Sequence, residues 1–270
     1  MGVRVAWVCA QIGLKNIMKI LLTNDDGIHA PGLWALHHAL APNHQVVVVA
    51  PERERSAVGH GITLHKPLRA CEVEVSGHPG WAVAGTPADC VKLSLVELLD
   101  APPDMVISGI NPGANVGVNL NYSGTVAAAK EAAIYGLPAI AVSIQSAENP
   151  CFDEAARFVS YLAVRVYDQG LPAGVFLNVN FPNLSCERAA GIKVARQGCD
   201  IYDEFFEKRR DPRNRIYYWH GYEAIPARNG ADADAAALAA EHIVITPVRC
   251  DMTDYAMIEQ LKLWDLNFDR

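Results

Sequence analysis

The stretch "KILLTNDDGIHAPGLWALHHALA", residues 19–41, decides the fold. Lys19–Thr23 is apolar in a continuous run and not at alternate positions, as a strand covered on both faces requires. It runs into Asn24-Asp25-Asp26-Gly27 and then into a helical segment at 32–41, giving a strand–loop–helix unit. Runs of the same character recur at 45–51 ("QVVVVAP"), 104–110 ("DMVISGI"), 138–144 ("PAIAVSI"), 175–181 ("VFLNVNF") and 242–248 ("HIVITPV"). Helical segments lie between them. The segment 86–100 opens with Thr86 as N-cap, Pro87 at the first helical position and Asp89 at N3. Residues 123–136 are rich in small side chains and end on Gly136, and the amphipathic segment 152–170 ends on Gly170. This alternation through about residue 185 predicts a doubly wound, mostly parallel α/β sheet with helices on both faces.

Past residue 185 the pattern changes. Residues 199–224 carry aromatic flanks around a charged centre with one proline, the signature of a projecting hairpin arm. The Ala-rich segment 231–240 reads as a helix and 251–264 as a last helix. The basic run 207–215 reads as a solvated hairpin tip, and Tyr217, Tyr218 and Trp219 as packing the arm against the body or a second subunit.

With 270 residues, 51% of them hydrophobic, the chain can bury a core that needs no disulfide or structural metal to fold. A net charge of −7 argues against a nucleic-acid duplex as partner. Seven scattered cysteines show no zinc-ligand spacing, which points to reduced thiols in a cytoplasmic protein. No apolar run is long enough to span a membrane. Residues 1–17 lack the long apolar core and cleavage site of a signal peptide, so they read as an extension ahead of a start at Met18.

In a parallel sheet the loops after the strands emerge on one edge and can converge. Four such loops carry chemistry: 23–27, 51–63, 108–117 and 121–126. Together they offer the carboxylates of Asp25 and Asp26, the hydroxyl of Ser56 and the amide oxygen of Asn111, an all-oxygen set that suits Mg²⁺ or Mn²⁺. Gly113 and Gly124 let backbone N–H groups approach an anion, and Asn115 lies in the same loop as Asn111. Ser123 and Thr125 stand at a helix N-terminus, where a phosphate finds free donors and a favourable dipole. A divalent cation beside a phosphate cradle predicts metal-assisted phosphoester hydrolysis, with Asp25 or Asp26 taking a proton from the attacking water.

Each element has a plainer reading. Asp-Asp-Gly can be a turn with aspartates capping the next helix, Ser56 can be merely solvated, "SGINPG" can be a turn before Pro112, and Ser123 can be only an N-cap. Joint placement on one edge favours the site. His29, His60 and His65 lie near the same loops and are left outside the cation shell as hydrogen-bonding residues.

The motifs "MKILLTNDDGI", "APERERSA", "GTPADCV", "SGINPGANVG", "YSGTVAAAKEA", "RRDPRNRIYYW" and "ITPVRCDMT" resemble, in order, those of the SurE family of nucleotidases. The likeness runs from Met18 through nearly the whole chain. It implies a Rossmann-like fold forming a single domain over 18–270. It implies hydrolysis of nucleoside 5′-monophosphates, and of 3′-monophosphates, with one divalent cation per subunit held by Asp25, Asp26, Ser56 and Asn111. It further implies a homodimer or tetramer that exchanges the arm 199–224 and the C-terminal segment 251–270. Two departures stand out: residues 1–17 have no counterpart, and Ala233-Asp234 stands where Thr-Asp is expected, which weakens any substrate role for that segment.

Two rivals remain. An aspartyl-phosphate phosphatase would carry D-x-D, whereas the aspartates here are adjacent; a non-catalytic nucleotide sensor would use the same cradle only to bind. A dinucleotide oxidoreductase is disfavoured, because no G-x-G-x-x-G follows the first strand.

Overall fold

The computed structural model describes residues 17–146, 148–185, 187–199, 203–223, 230–264 and 266. Residues 1–16 of the expected extension, 200–202 and 224 of the expected arm, and 265 and 267–270 of the C-terminal segment lie outside them. One nine-stranded sheet carries the body. Its strands are β1 (Lys19–Thr23), β2 (Gln45–Pro51), β3 (Ala70–Val75), β4 (His78–Val83), β5 (Met105–Pro112), β6 (Ala139–Ile144), β7 (Val175–Phe181), β8 (Ile192–Val194) and β11 (Ile243–Arg249). The strands lie in the order β3-β4-β2-β1-β5-β6-β7-β11-β8. The run from β4 to β7 is parallel throughout. β9 (Asp203–Arg210) and β10 (Ile216–Glu223) form a separate antiparallel ribbon, the arm.

Among the described residues six α-helices accompany the strands: α1 (Pro31–Leu40), α2 (Pro87–Leu93), α3 (Gly124–Ile134), α4 (Phe152–Gln169), α5 (Asp234–Ala239) and α6 (Tyr255–Leu261). α1 and α4 cover one face of the sheet, on Ile20, Leu22, Val48, Ile107, Val142 and Val179. α2 and α3 cover the other, on Leu21, Val49, Val106, Ala141 and Phe176. Neighbouring strand residues thus point to opposite, equally dry faces, which is why these strands lack a polar alternation. Ala128, Ala129, Ala132 and Ala133 of α3 lie fully or almost fully buried over the sheet, together with Val126.

Thr86 is the N-cap of α2 as expected, and with Asp89 it forms a capping box, each side chain bonded to the other's backbone N–H. The helix is shorter than the sequence pattern implies and runs on as a π-turn at Ser94–Leu98. The hairpin β3–β4 and the short β8 do not stand out among continuously apolar runs. "ACEVEV" alternates instead, because β3 is the sheet's edge and leaves Glu72 and Glu74 in water. β11 lies antiparallel to β7, so the sheet is mixed at that end.

β1 pairs with β2 on one side and β5 on the other, both parallel, and the chain reverses its direction of winding between β1 and β5. That crevice is where the carboxyl-end loops of an open α/β sheet splay apart to admit a ligand.

Phe176 is the largest fully buried side chain and sits on the α2–α3 face. Phe176→Ala is expected to cost about 3–5 kcal/mol. Urea unfolding would show this as a lower midpoint with an unchanged m-value; a loss below about 1 kcal/mol would contradict the packing.

Candidate functional site

The loop after β1 is held in one conformation by its own backbone bonds. Asn24 is fully buried; its Nδ2 donates to Gly27 O (3.0 Å) and its Oδ1 accepts from Gly27 N–H (3.2 Å). Gly27 completes the turn at φ +102°, a conformation that a side chain would strain. Two further bonds tie this loop to the one after β2: Ile28 N–H donates to Pro51 O (2.8 Å) and Arg55 N–H to Asp25 O (2.7 Å). Ser56 follows Arg55 directly.

Asp25 is pressed against the start of α3. The Thr125 hydroxyl donates to its Oδ1 at 2.6 Å. A Cβ on Gly124 would stand 2.8 Å from the Cβ of Asp25, so only glycine permits the approach. The positive end of the helix dipole therefore faces a buried carboxylate. Ser123 caps the same helix, its Oγ accepting from Val126 N–H. The hydroxyls of Ser123 and Thr125 are both engaged inside the protein.

Electrostatically the pair is uncomfortable. Burial pushes the Asp25 carboxyl up against the opposing effect of the Thr125 bond. Asp26 is pushed up to about 7 by burial first, then by the charges of Asp25 and Glu54. Its Oδ2 is buried and has no hydrogen-bond partner. An orphaned carboxylate oxygen beside a second buried carboxylate is what a bound dication would satisfy, and its charge would invert the penalty on both acids.

The other candidate donors line adjacent loops. Ser56 is exposed and its Oγ donates to Glu54 Oε1 at 2.5 Å. Asn111, at the end of β5, commits an amide N–H to Gly113 O at 2.6 Å, and its Oδ1 is the atom that remains. All four side chains present oxygen, the donor type of hard cations such as Mg²⁺ and Mn²⁺.

Asn115 sits deeper. Its N–H donates to Asn180 Oδ1, its side-chain amide to Ser143 Oγ, and its carbonyl accepts from Asn178 and Asn180. This network fixes the loop that carries Asn111 and Gly113. Its signal was available in "VFLNVNF", where two asparagines fall on one face of an otherwise apolar strand. Asp234 anchors the far side of that loop, accepting from Gly117 N–H and Gly198 N–H at 2.9 Å each. In the segment where Thr-Asp is expected and Ala233-Asp234 stands, Asp234 thus has a structural task.

The 51–63 loop is moored twice more. Asp89 accepts from Thr63 N–H and Thr63 Oγ1, and Glu131 of α3 bonds His60 (2.6 Å) and Lys92 (3.0 Å). Burial would raise the Glu131 carboxyl, but these two bonds outweigh it and hold it below the usual range. His60 is thus committed to Glu131, and His29 and His65 are exposed.

The family model described as "Survival protein SurE" matches residues 20–204. The chain is 56% identical over 248 residues to the 5′-nucleotidase SurE of Desulfatibacillum aliphaticivorans, covering 92% of this chain and 98% of that protein. It is 51% identical to the 5′-nucleotidase SurE of Syntrophobacter fumaroxidans, over 92% of this chain and all of that one. The crystal structure of the SurE protein from Aquifex aeolicus superposes with a TM-score of 0.80 at 40% identity, covering 90% of this chain and 98% of that chain.

The strained acid pair makes a prediction for metal-stripped protein. Because the Asp26 carboxyl binds its proton more tightly folded than unfolded, it destabilises the fold above about pH 7 and contributes nothing below about pH 4. Asp26→Asn should therefore raise the unfolding temperature at pH 8, by about 2–4 °C per kcal/mol relieved, with the gain vanishing on acidification. Equal or lower stability of the variant at pH 8 would contradict this electrostatic account.

Proposed function

The chain belongs to the SurE family, and we propose that it is a metal-dependent 5′-nucleotidase centred on Asp25 and Asp26 at the β1–β5 switch point. The nucleotidase activity follows from relatives of the same name at 43–56% identity over nearly their whole lengths. The single observation carrying the metal is the buried, unpartnered Asp26 Oδ2 beside the buried Asp25 carboxylate.

Asp25, Asp26, Ser56 and Asn111 would hold one Mg²⁺ or Mn²⁺ per subunit. The ion supplies Lewis-acid polarisation of the phosphoryl group and acidifies water. The chain does the rest. Thr125, with Gly124 leaving room, fixes Asp25 so that its carboxylate does not swing. Asn111 and the Gly113 and Gly124 backbones border the phosphate position, while Asn115, Ser123 and Thr125 hold that border in place. Asp25 or Asp26, through a carboxylate oxygen not given to the ion, would accept the proton of the attacking water; Asp25 Oδ1 already accepts from Thr125. We extend the proposal to 3′-monophosphates, whose reacting phosphoryl group is alike.

We also assign a homodimer or tetramer formed through the arm and the C-terminal segment. Phe205, Phe206, Tyr218 and Trp219 on the arm are exposed, as are Met252, Leu263 (86%) and Trp264 (57%). Apolar side chains concentrated on projecting segments mark a surface that a partner covers. No described helix is long and apolar enough to cross a membrane. Cys71, Cys90, Cys151, Cys199 and Cys250 carry free thiols, in keeping with a cytoplasmic setting.

Purified protein is expected to release phosphate from nucleoside 5′-monophosphates with Mg²⁺ or Mn²⁺ and to stop in EDTA. Asp25→Asn, Asn111→Ala and Gly124→Ala should each lower turnover by about 10²-fold or more with the fold intact, the last purely by displacing Asp25. Turnover unaffected by EDTA would remove the metal. Tight binding without turnover would make the protein a sensor, and a trapped phosphoryl-Asp25 would make it an aspartyl-phosphate enzyme.

Light scattering should give two or four times the 29.3 kDa chain mass. A monomer at micromolar concentration would contradict the assembly.

A further inference from the structure

On the sheet edge opposite the acid pair, three histidines come together. His37 and His38 lie in the last turn of α1, and His78 is the first residue of β4, just past the Ser76–Gly77 turn of the β3–β4 hairpin. The ring centroids of the three pairs are 4.6, 5.5 and 5.8 Å apart. One ring nitrogen from each can be chosen so that all three lie within 4.8 Å of one another, the one such group of His, Cys, Asp and Glu among the described residues. Three atoms so placed share a centre at most about 2.8 Å from each. An inward shift of under about 1 Å per nitrogen reaches the 2.0–2.1 Å of a zinc–imidazole bond.

His37 is only 8% exposed, and its Nδ1 is buried with no hydrogen-bond partner. A buried nitrogen, bonded to nothing, on a ring packed against two other imidazoles calls for an acceptor of its lone pair or a donor to it, and the protein supplies neither. Burial, then His78 and His38, lower the His37 pKa to about 4, so the ring is in the neutral form that ligates metals. Trp34 steadies the cluster: its indole N–H donates to Ile28 O at 2.7 Å, and its ring stacks on His78 at 6.0 Å. His38 is exposed and His78 half-exposed, so an ion has a path in and room for water as a further ligand.

We propose that His37, His38 and His78 form a second cation site, for a borderline divalent ion of the zinc class, which clamps the β3–β4 edge hairpin to α1. The donor chemistry separates the two sites: imidazole nitrogen favours Zn²⁺, Ni²⁺ and Cu²⁺, while the oxygen set at Asp25 and Asp26 favours Mg²⁺ and Mn²⁺. Hairpin and helix otherwise meet at this end through ring contacts, so a bound ion would lock an edge whose outer strand is half in water.

The test is equilibrium dialysis of EDTA-treated full-length protein against micromolar Zn²⁺ at pH 7.5, with millimolar Mg²⁺ filling the oxygen site. Wild type should take up one Zn²⁺ per chain. His78→Gln and, separately, His38→Gln should each weaken that uptake at least about tenfold, as loss of a ligand requires. His38 is exposed, so its variant keeps the test readable if His78→Gln folds poorly. Zn²⁺ should also raise the unfolding temperature of wild type and not of the variants. No uptake by wild type, or uptake unchanged in both variants, would overturn the site and leave the cluster as an aromatic stack. Neither variant touches the acid pair, so Mg²⁺-dependent phosphate release is read separately and bears only on the nucleotidase.

Discussion

The bond between the Thr125 hydroxyl and the Asp25 carboxylate, across 100 residues of sequence, is the constraint on which the rest depends. It joins the loop at the end of β1 to the start of α3 and brings the helix dipole onto the first of two adjacent acids. Gly124 is required because of it, and most of the buried face of α3 is made of small side chains, Ala127, Ala128, Ala129, Ala132 and Ala133. The sheet supplies position, the helix supplies field, and the acid pair supplies a charge that the protein alone leaves incompletely neutralised.

That incompleteness has a structural logic. Most buried polar groups are satisfied; among the described residues Asp26 Oδ2 and His37 Nδ1 are two of eight buried side-chain polar atoms with no partner in the protein, and these two sit beside a second carboxylate and beside two further imidazoles. Around the acid pair every supporting loop is tightly moored. Asn24 closes the first, Asp89 and Glu131 hold the second, and Asn115 and Asp234 hold the third. Stability is spent at two acids and recovered in the buried networks behind them, the usual exchange of stability for function.

Much of this was legible in the sequence because it follows from local rules. Continuous apolar runs announced strands covered twice, and "TPAD" announced the start of α2. "TNDDG" placed two acids at a carboxyl edge, the one position in such a sheet where charge has a use. The β3–β4 hairpin was not legible by the same rule, since an edge strand alternates where a central one does not. The paired asparagines of "VFLNVNF" hinted at the Asn115–Ser143–Asn178–Asn180 network, but its partners, like the three-histidine cluster, were hidden for another reason. Their members lie 28 to 65 residues apart, or on a helix and a strand whose meeting only the fold decides. His37-His38 in isolation is just the polar end of a helix.

Direct ion binding tests most sharply whether a dication is the missing partner of the acid pair. Mn²⁺ added to metal-free protein should be taken up at one ion per chain at the oxygen site, seen as loss of the free-ion electron paramagnetic resonance signal. Asp25→Asn should abolish that uptake, while His78→Gln should leave it unchanged. Uptake that survives Asp25→Asn undiminished, or none in the wild type, would contradict the claim that these two aspartates are built around a metal.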